Sequence, residues 1–326
     1  MKKKEYMGCY DNQTDEEKKN NYSQGEVVAN IAPAIFPEKT PENFIKYPIR
    51  SQDGSGRCVA FTYAKELSIW FQQKYGVWVD FSTCFPYQLR NNTEISGCST
   101  IDIFTVFPKI GNIFESFMPG DGLGEKESME VLMPPYAKDL AKNISIKRIN
   151  LPLDFDTVAS TLRMTSKGVM LWFNFNSLEW KDIPVVSQQP TTSRHSICAI
   201  EPVTYNGIEY IVCDESWGLG YSMNGKRLIS REYFNFRCYH ASYLMNFDFS
   251  PEKMIERPSF DGSIVSAQRC FKWEGLFPNN VSEIENWGNI TRSACIKFQK
   301  RFNISPDLGN FGPLTKVKLS ELYPTA

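Results

Sequence analysis

The sequence predicts an α+β protein, on three observations. Helical patterns come early in the chain and strand patterns late, rather than in the alternating order of βαβ units. A glycine loop at 54–56 runs into an apolar stripe with the spacing of one helix face. Two apolar strand-like runs flank Asn206-Gly207, the strongest short-range hairpin signal. The chain has 326 residues, 42% of them hydrophobic, enough for one large domain and a small one.

Residues 1–30 are charged and polar without periodicity and are expected to form a flexible N-terminal arm. A large domain is expected over 31–250. It opens on the proline-punctuated, extended "IAPAIFPEKTPENFIKYPIR". The stretch from Cys58 to Tyr75 is apolar at Ala60, Phe61, Ala64, Leu67 and Phe71, and Gly76 stops it. Residues 77–91 read as an extended segment followed by a short helix, and 98–111 as a helix interrupted by proline. Residues 153–176 read as a helix, a Lys-Gly break and a strand. The hairpin around Asn206-Gly207 closes the readable part. Residues 251–261 are an expected linker, and 262–326 turn to short helical segments between glycine loops.

The net charge of −1, from 36 basic and 37 acidic residues, gives no footprint for nucleic acid or a membrane surface. No apolar run reaches the roughly 20 residues of a spanning helix. The first 24 residues lack the apolar core of a secretion signal. Location is therefore left open between the cytoplasm and a non-classical route, for example with a phage. Nine cysteines are scattered without a C-x-x-C, which speaks against a zinc site and for reduced thiols. No metal or cofactor is implied.

A helix N-terminus favours negative charge, so Cys58, at the first turn, is pushed towards thiolate. The plainer alternative is a buried small hydrophobe, the commonest role of a free cysteine. A nucleophilic thiol needs a base close in space, and the base needs an orienting partner. Only two histidines are present. His195 opens the first strand of the hairpin, and Glu215 lies near the end of the second. Antiparallel pairing brings those ends together. His240 is read as a satisfied, half-buried side chain.

Three blocks in this order resemble the papain family of cysteine peptidases: "QDGSGRCVAF", with a glutamine six residues ahead of the cysteine, "RHSICAIEPV" and "IEYIVCDESWG". Weaker matches lie in "SGCSTIDIFTVFPKIGNIFES" and "SKGVMLWFNFN". The resemblance covers about residues 35 to 248, and the blocks are specific only together. It implies a two-lobe fold, a helical lobe followed by a β-rich lobe, and a protein or peptide substrate. It implies Cys58 as nucleophile and His195 as general base, then acid. Gln52 becomes the side-chain donor of the oxyanion hole, with the Cys58 N–H as its other half. Trp217 becomes a shield over the partner of His195.

The departures are informative. The family's asparagine falls on Glu215, which can still orient the ring and adds charge that favours imidazolium. Asp214 should point to the opposite face of the strand. Val59 stands for the usual tryptophan, and Ser55 for a disulfide cysteine. The substrate-pairing Gly-Gly is replaced around Ser99-Thr100-Ile101, so substrate preference does not carry over.

Farther on, Gln268, Gly288, Thr291, Phe298-Gln299 and Gly312-Pro313-Leu314-Thr315 resemble the small three-helix peptidoglycan-binding-like domain. Thr291 and Thr315 are expected as N-caps, and Ile264, Ala294, Phe298, Val317 and Leu319 as core. A spacer that binds nothing would look the same. The functional expectation is a cysteine peptidase with a Cys-His-Glu site and a cell-wall-directed module. The alternatives are a lysin-like amidase or endopeptidase cutting peptidoglycan crosslinks, and a non-catalytic cell-wall-binding protein on the same scaffold.

Overall fold

A computed structural model describes residues 8–14, 33–249, 258–274, 276–278 and 281–325. The chain divides into two units, residues 1–131 with 141–249, and residues 132–140 with 250–326.

The centre of the first unit is helix α1, Cys58–Tyr75, which ends where Gly76 takes φ 74°. Only glycine enters that region freely. The expected apolar stripe understates its burial. Thirteen of its eighteen residues are buried, including Lys65 and Glu66. The polar ones survive inside because they are paired, Glu66 with Arg148 and Lys65 with Asp214. Leu67 is fully buried, and cutting such a side chain to alanine costs about 2–5 kcal/mol.

Short elements follow α1: α2 (Cys84–Gln88), β2 (Cys98–Ser99), a π-helical turn (Asp102–Val106), α3 (Phe107–Ile110) and α4 (Glu125–Glu130). The β-rich part holds β3 (Ile144–Asn150), α6 (Phe155–Thr165), β4 (Val169–Phe175), β5 (Ser193–Tyr205), β6 (Ile208–Asp214), β7 (Lys226–Ser230), α7 (Arg231–Arg237) and β8 (Cys238–Phe249). A further short helix, α5 (Ala137–Ala141), precedes β3. The strands form one antiparallel sheet in the order β3-β8-β4-β5-β6-β7. Asn206 and Gly207, at φ 51° and 73°, make the expected hairpin turn between β5 and β6.

The sheet is covered on both faces, and side-chain alternation along β5 sorts the two. Ile197 and Ala199 join Phe155, Val158 and Leu162 of α6. Cys198 and Ile200 join Ile69 of α1. His195, two residues before Ile197, is thereby fixed on the same strand.

One segment differs from expectation. Within the arm expected over 1–30, Gly8–Thr14 packs on the domain. Strand β1 (Cys9–Tyr10) pairs in parallel with β2, and Cys9 is fully buried. Periodicity could not show it, because two residues make no pattern. Residues 1–7 and 15–32 lie outside the described residues, as do 250–257 of the expected linker.

The second unit contains α8 (Ile264–Trp273), α9 (Asn289–Arg301) and α10 (Pro313–Leu322). Its polar interior repeats itself. Gln268 donates to the Asn286 carbonyl and the Thr291 hydroxyl, both at 2.9 Å, and accepts from the Ile284 N–H. Gln299 donates to the Asn310 carbonyl at 2.9 Å and the Thr315 hydroxyl at 2.8 Å, and accepts from the Gly309 N–H. The N-caps are Gly288 and Gly312, not the threonines. Thr291 and Thr315 sit one turn inside, buried, where their hydroxyls meet the glutamines. Ala294, Phe298 and Leu319 are core as expected, but Val317 is 56% exposed and Ile264 only half-buried.

Candidate active site

The loop 50–57 is shaped by three constraints. Asp53 and Gly54 both take positive φ, 43° and 69°. Gly56 passes so close to 96–97 that a Cβ there would lie 2.7 Å from the Gly97 nitrogen. Arg57 is fully buried and ties the loop from beneath. It donates to the Ser55 hydroxyl at 2.9 Å and the Gly120 carbonyl at 2.8 Å, and also to the Leu123 carbonyl. Cys58, at the first position of α1, is thereby held at the loop's end.

Gln52 is anchored to the far side of the site. Its backbone N–H donates to the Ser216 carbonyl at 2.8 Å, and the Ser216 hydroxyl donates to its Oε1 at 2.6 Å. Its Nε2 donates one hydrogen to the Ser55 carbonyl. An amide nitrogen has two hydrogens, so one remains for the cleft. Gln52, Cys58, His195 and Trp217 line one cleft of about 370 Å³, together with Phe175 and Gly8.

The expected convergence of strand ends takes place. His195 Nε2 lies 2.7 Å from Glu215 Oε2, which leaves Nδ1 for the hydrogen bond between His195 and Cys58. The Trp217 ring lies over the imidazole at 4.7 Å. Asp214 points away, bound by Lys226 at 2.6 Å and Lys65 at 3.2 Å.

Burial works against the charge on each of these groups, and their mutual contacts overcome it. The Cys58 thiol comes down to about 5, drawn by hydrogen bonds from Cys9 and His195 and by the imidazolium charge. His195 rises to about 9 on the charges and hydrogen bonds of Glu215 and Cys58. Glu215 falls to about 2 beside His195 and Arg227. The contacts thus favour the charged form of each group: thiolate, imidazolium and carboxylate.

Three participants carried no sequence signal. Trp180 Nε1 and Arg227 Nε both donate to Glu215 Oε1, at 2.9 and 2.7 Å. They come from a loop and a strand with no motif around them. The third is the β1 segment. A Cβ on Gly8 would lie 2.6 Å from Cys58 Sγ, so the glycine backbone passes directly over the thiol. The Cys9 thiol lies 3.0 Å from the Tyr239 hydroxyl, which also donates to the Cys9 carbonyl at 3.2 Å. His240, in the next position, bonds the Ser242 hydroxyl at 2.9 Å and packs on Trp172, outside this cleft.

Among the described residues no group of His, Cys, Asp and Glu is arranged to hold a metal, and no helix is long and apolar enough to cross a membrane. All nine cysteines are free thiols.

No family model matches the chain, and no curated protein matches it in sequence. Solved structures do match its fold. Xylellain, a cysteine protease from Xylella fastidiosa, superposes with a TM-score of 0.59 at 17% identity, over 75% of this chain and 97% of that one. The cysteine protease and lectin-like domains of Cwp84, a surface layer associated protein of Clostridium difficile, give 0.52 at 16%, over 68% and 55%. The proform of Amb a 11, a ragweed pollen cysteine protease, gives 0.51 at 19%, over 71% of each. The large unit has the papain-like α+β fold.

Proposed function

We propose that this chain is a papain-like cysteine peptidase acting through Cys58, His195 and Glu215. The observation that supports this most is geometric: a buried thiol at the first turn of α1 meets a buried imidazole whose Nε2 is tied to a carboxylate at 2.7 Å, contacts that draw the thiol down to about 5 and the imidazole up to about 9. A merely structural cysteine would move the other way, as Cys198 and Cys213 do under burial.

The Cys58 thiolate attacks the carbonyl carbon of a peptide bond. The developing oxyanion is met by the free Gln52 Nε2 hydrogen and the Cys58 N–H, which as a first-turn amide has no helical partner. Each such donor is worth about 3 kcal/mol in the transition state. His195 passes its Nδ1 proton to the departing amine, leaving a thioester. It then takes a proton from water as that water attacks the thioester. The acid product leaves and the thiolate is restored.

Access is restricted at rest. Gly8 lies against the nucleophile and Cys9 is buried beside it, so the chain's own β1 segment occupies ground a substrate needs. The peptidase is therefore read as latent until that segment moves.

The C-terminal unit is assigned a cell-wall-directed role. Its sequence pattern supports this, as does a separate unit with its own apolar and polar interior. The description of Cwp84 as a surface layer associated protein fits that setting.

The test is hydrolysis of an unfolded protein substrate by the full chain and by a variant lacking residues 1–14, each with and without Cys58→Ala. Cleavage that survives Cys58→Ala, or that is absent from both parents, refutes the reading.

A further inference from the structure

We propose that Arg227 is a positioning residue of this site. It neutralises Glu215, turns the carboxylate's other oxygen to His195, and so sets how firmly His195 holds its proton. The inference rests on the peptidase reading. It supplies the reason a carboxylate can stand where the resemblance expects an amide.

Arg227 lies on β7, the edge strand, yet is only 2% exposed. Its Nε donates to Glu215 Oε1 at 2.7 Å, and its Nη1 donates to the Lys181 carbonyl. The guanidinium lies 4.4 Å from the Trp180 ring centroid and 5.8 Å from that of Trp217. Trp180 Nε1 donates to the same Oε1 at 2.9 Å. Two donors thus occupy one oxygen, and Oε2 is left for His195 at 2.7 Å. Two indoles and a backbone carbonyl leave the arginine little room to turn.

Charge counting gives the functional reason. A thiolate and an imidazolium cancel. A buried glutamate beside them adds an unbalanced negative charge, which the interior tolerates poorly. An amide in that place needs no counterion; a carboxylate does, and Arg227 supplies it. In the first half-reaction His195 must also release its proton to the leaving amine. An unopposed carboxylate would grip the imidazolium too firmly for that, and Arg227 loosens the grip by drawing the carboxylate's charge to itself.

The other groups facing His195 and Glu215 do not share this role. Cys58 on α1 and Cys9 on β1 approach from the thiol side. Arg194, adjacent in the chain, acts on Cys9. Asp214 is balanced by Lys65 and Lys226 on the opposite face. Tyr221 lines the cleft and packs on Trp217, their ring centroids 5.9 Å apart.

The experiment is a direct titration of the His195 ring by NMR in the full chain with labelled histidine. Only two histidines are present, and a His240→Asn control assigns the signals. Arg227→Met raises the His195 midpoint by about one unit, and Glu215→Gln lowers it by a similar amount. The double variant falls between the two. Arg227→Lys keeps the charge and leaves the midpoint within about 0.3 units of the parent, while kcat falls because the fork is lost. A folded Arg227→Met protein with reduced Tm and an unmoved midpoint overturns the proposal and leaves a structural arginine. If Arg227→Met does not fold, the double variant decides, since it removes the buried pair whole. A double-variant midpoint equal to that of Glu215→Gln overturns the proposal equally. Absence of peptide hydrolysis by both the full chain and the variant lacking residues 1–14 would sink the peptidase reading without touching this titration.

Discussion

In the proposed site Cys58 and His195 share one proton, and their two midpoints would frame the working range. Below about 5 the thiolate is protonated, and above about 9 the imidazolium is lost. A kcat/KM profile bounded by limbs near those values is the expected outcome. Glu215→Gln removes a negative charge that favours imidazolium, so the alkaline limb moves down. Glu215→Ala also removes the acceptor and costs more activity. Limbs unmoved by both substitutions would show that the carboxylate does not act on the ring. Gln52→Ala should lower kcat about 10²–10³-fold with KM nearly held, because the donor serves the transition state. A raised KM with unchanged kcat would make Gln52 a ground-state binding residue instead. Cys58, Gln52, His195 and Glu215 were singled out from the sequence because each sits in a short linear pattern or at a strand end. Arg227 and Trp180 were not. Their roles depend on how β7 and the 176–182 turn lie against β6, and no local pattern encodes that register.

At the scale of elements, α1 was readable to the residue, since its stripe and its stopping glycine are both local. What the stripe hid is that the helix is buried on nearly every side, its charges met by Arg148 and Asp214 from strands far along the chain. The hairpin was equally legible, because Asn-Gly dictates its turn. Strand β1 was not, since two residues carry no periodicity and its burial comes from distant partners, β2, β5, Cys58 and Tyr239. Two outcomes follow from its position. Removing residues 1–14 should raise kcat/KM on a short peptide, by at least tenfold if the segment fully blocks the cleft; an unchanged rate would mean that substrate bypasses it. Cys9→Ala in the full chain deletes a hydrogen bond that lowers the Cys58 thiol. The acid limb of Cys58 alkylation should therefore move up, and a limb that stays in place would deny Cys9 any part in thiolate stabilisation.

Across the whole molecule, residues 132–140 group with 250–326, whereas the sequence reading assigned them to the large domain over 31–250. No composition shift marks that segment, because membership there is set by packing and not by chain order. Deleting residues from 258 onward should leave hydrolysis of a soluble peptide largely intact while lowering Tm, since 132–140 lose their unit. Pull-down by purified cell-wall sacculi should be lost with the deletion; equal capture of both proteins would reduce the module to a spacer. The central claim, that Cys58 forms an acyl-enzyme, is tested most directly by intact-mass analysis of the variant lacking residues 1–14. It is mixed with an activated peptide ester and quenched in acid within seconds. One acyl group is expected on Cys58, lost on longer incubation and absent from Cys58→Ala. Acylation spread over several cysteines, or an adduct that persists in Cys58→Ala, would contradict it.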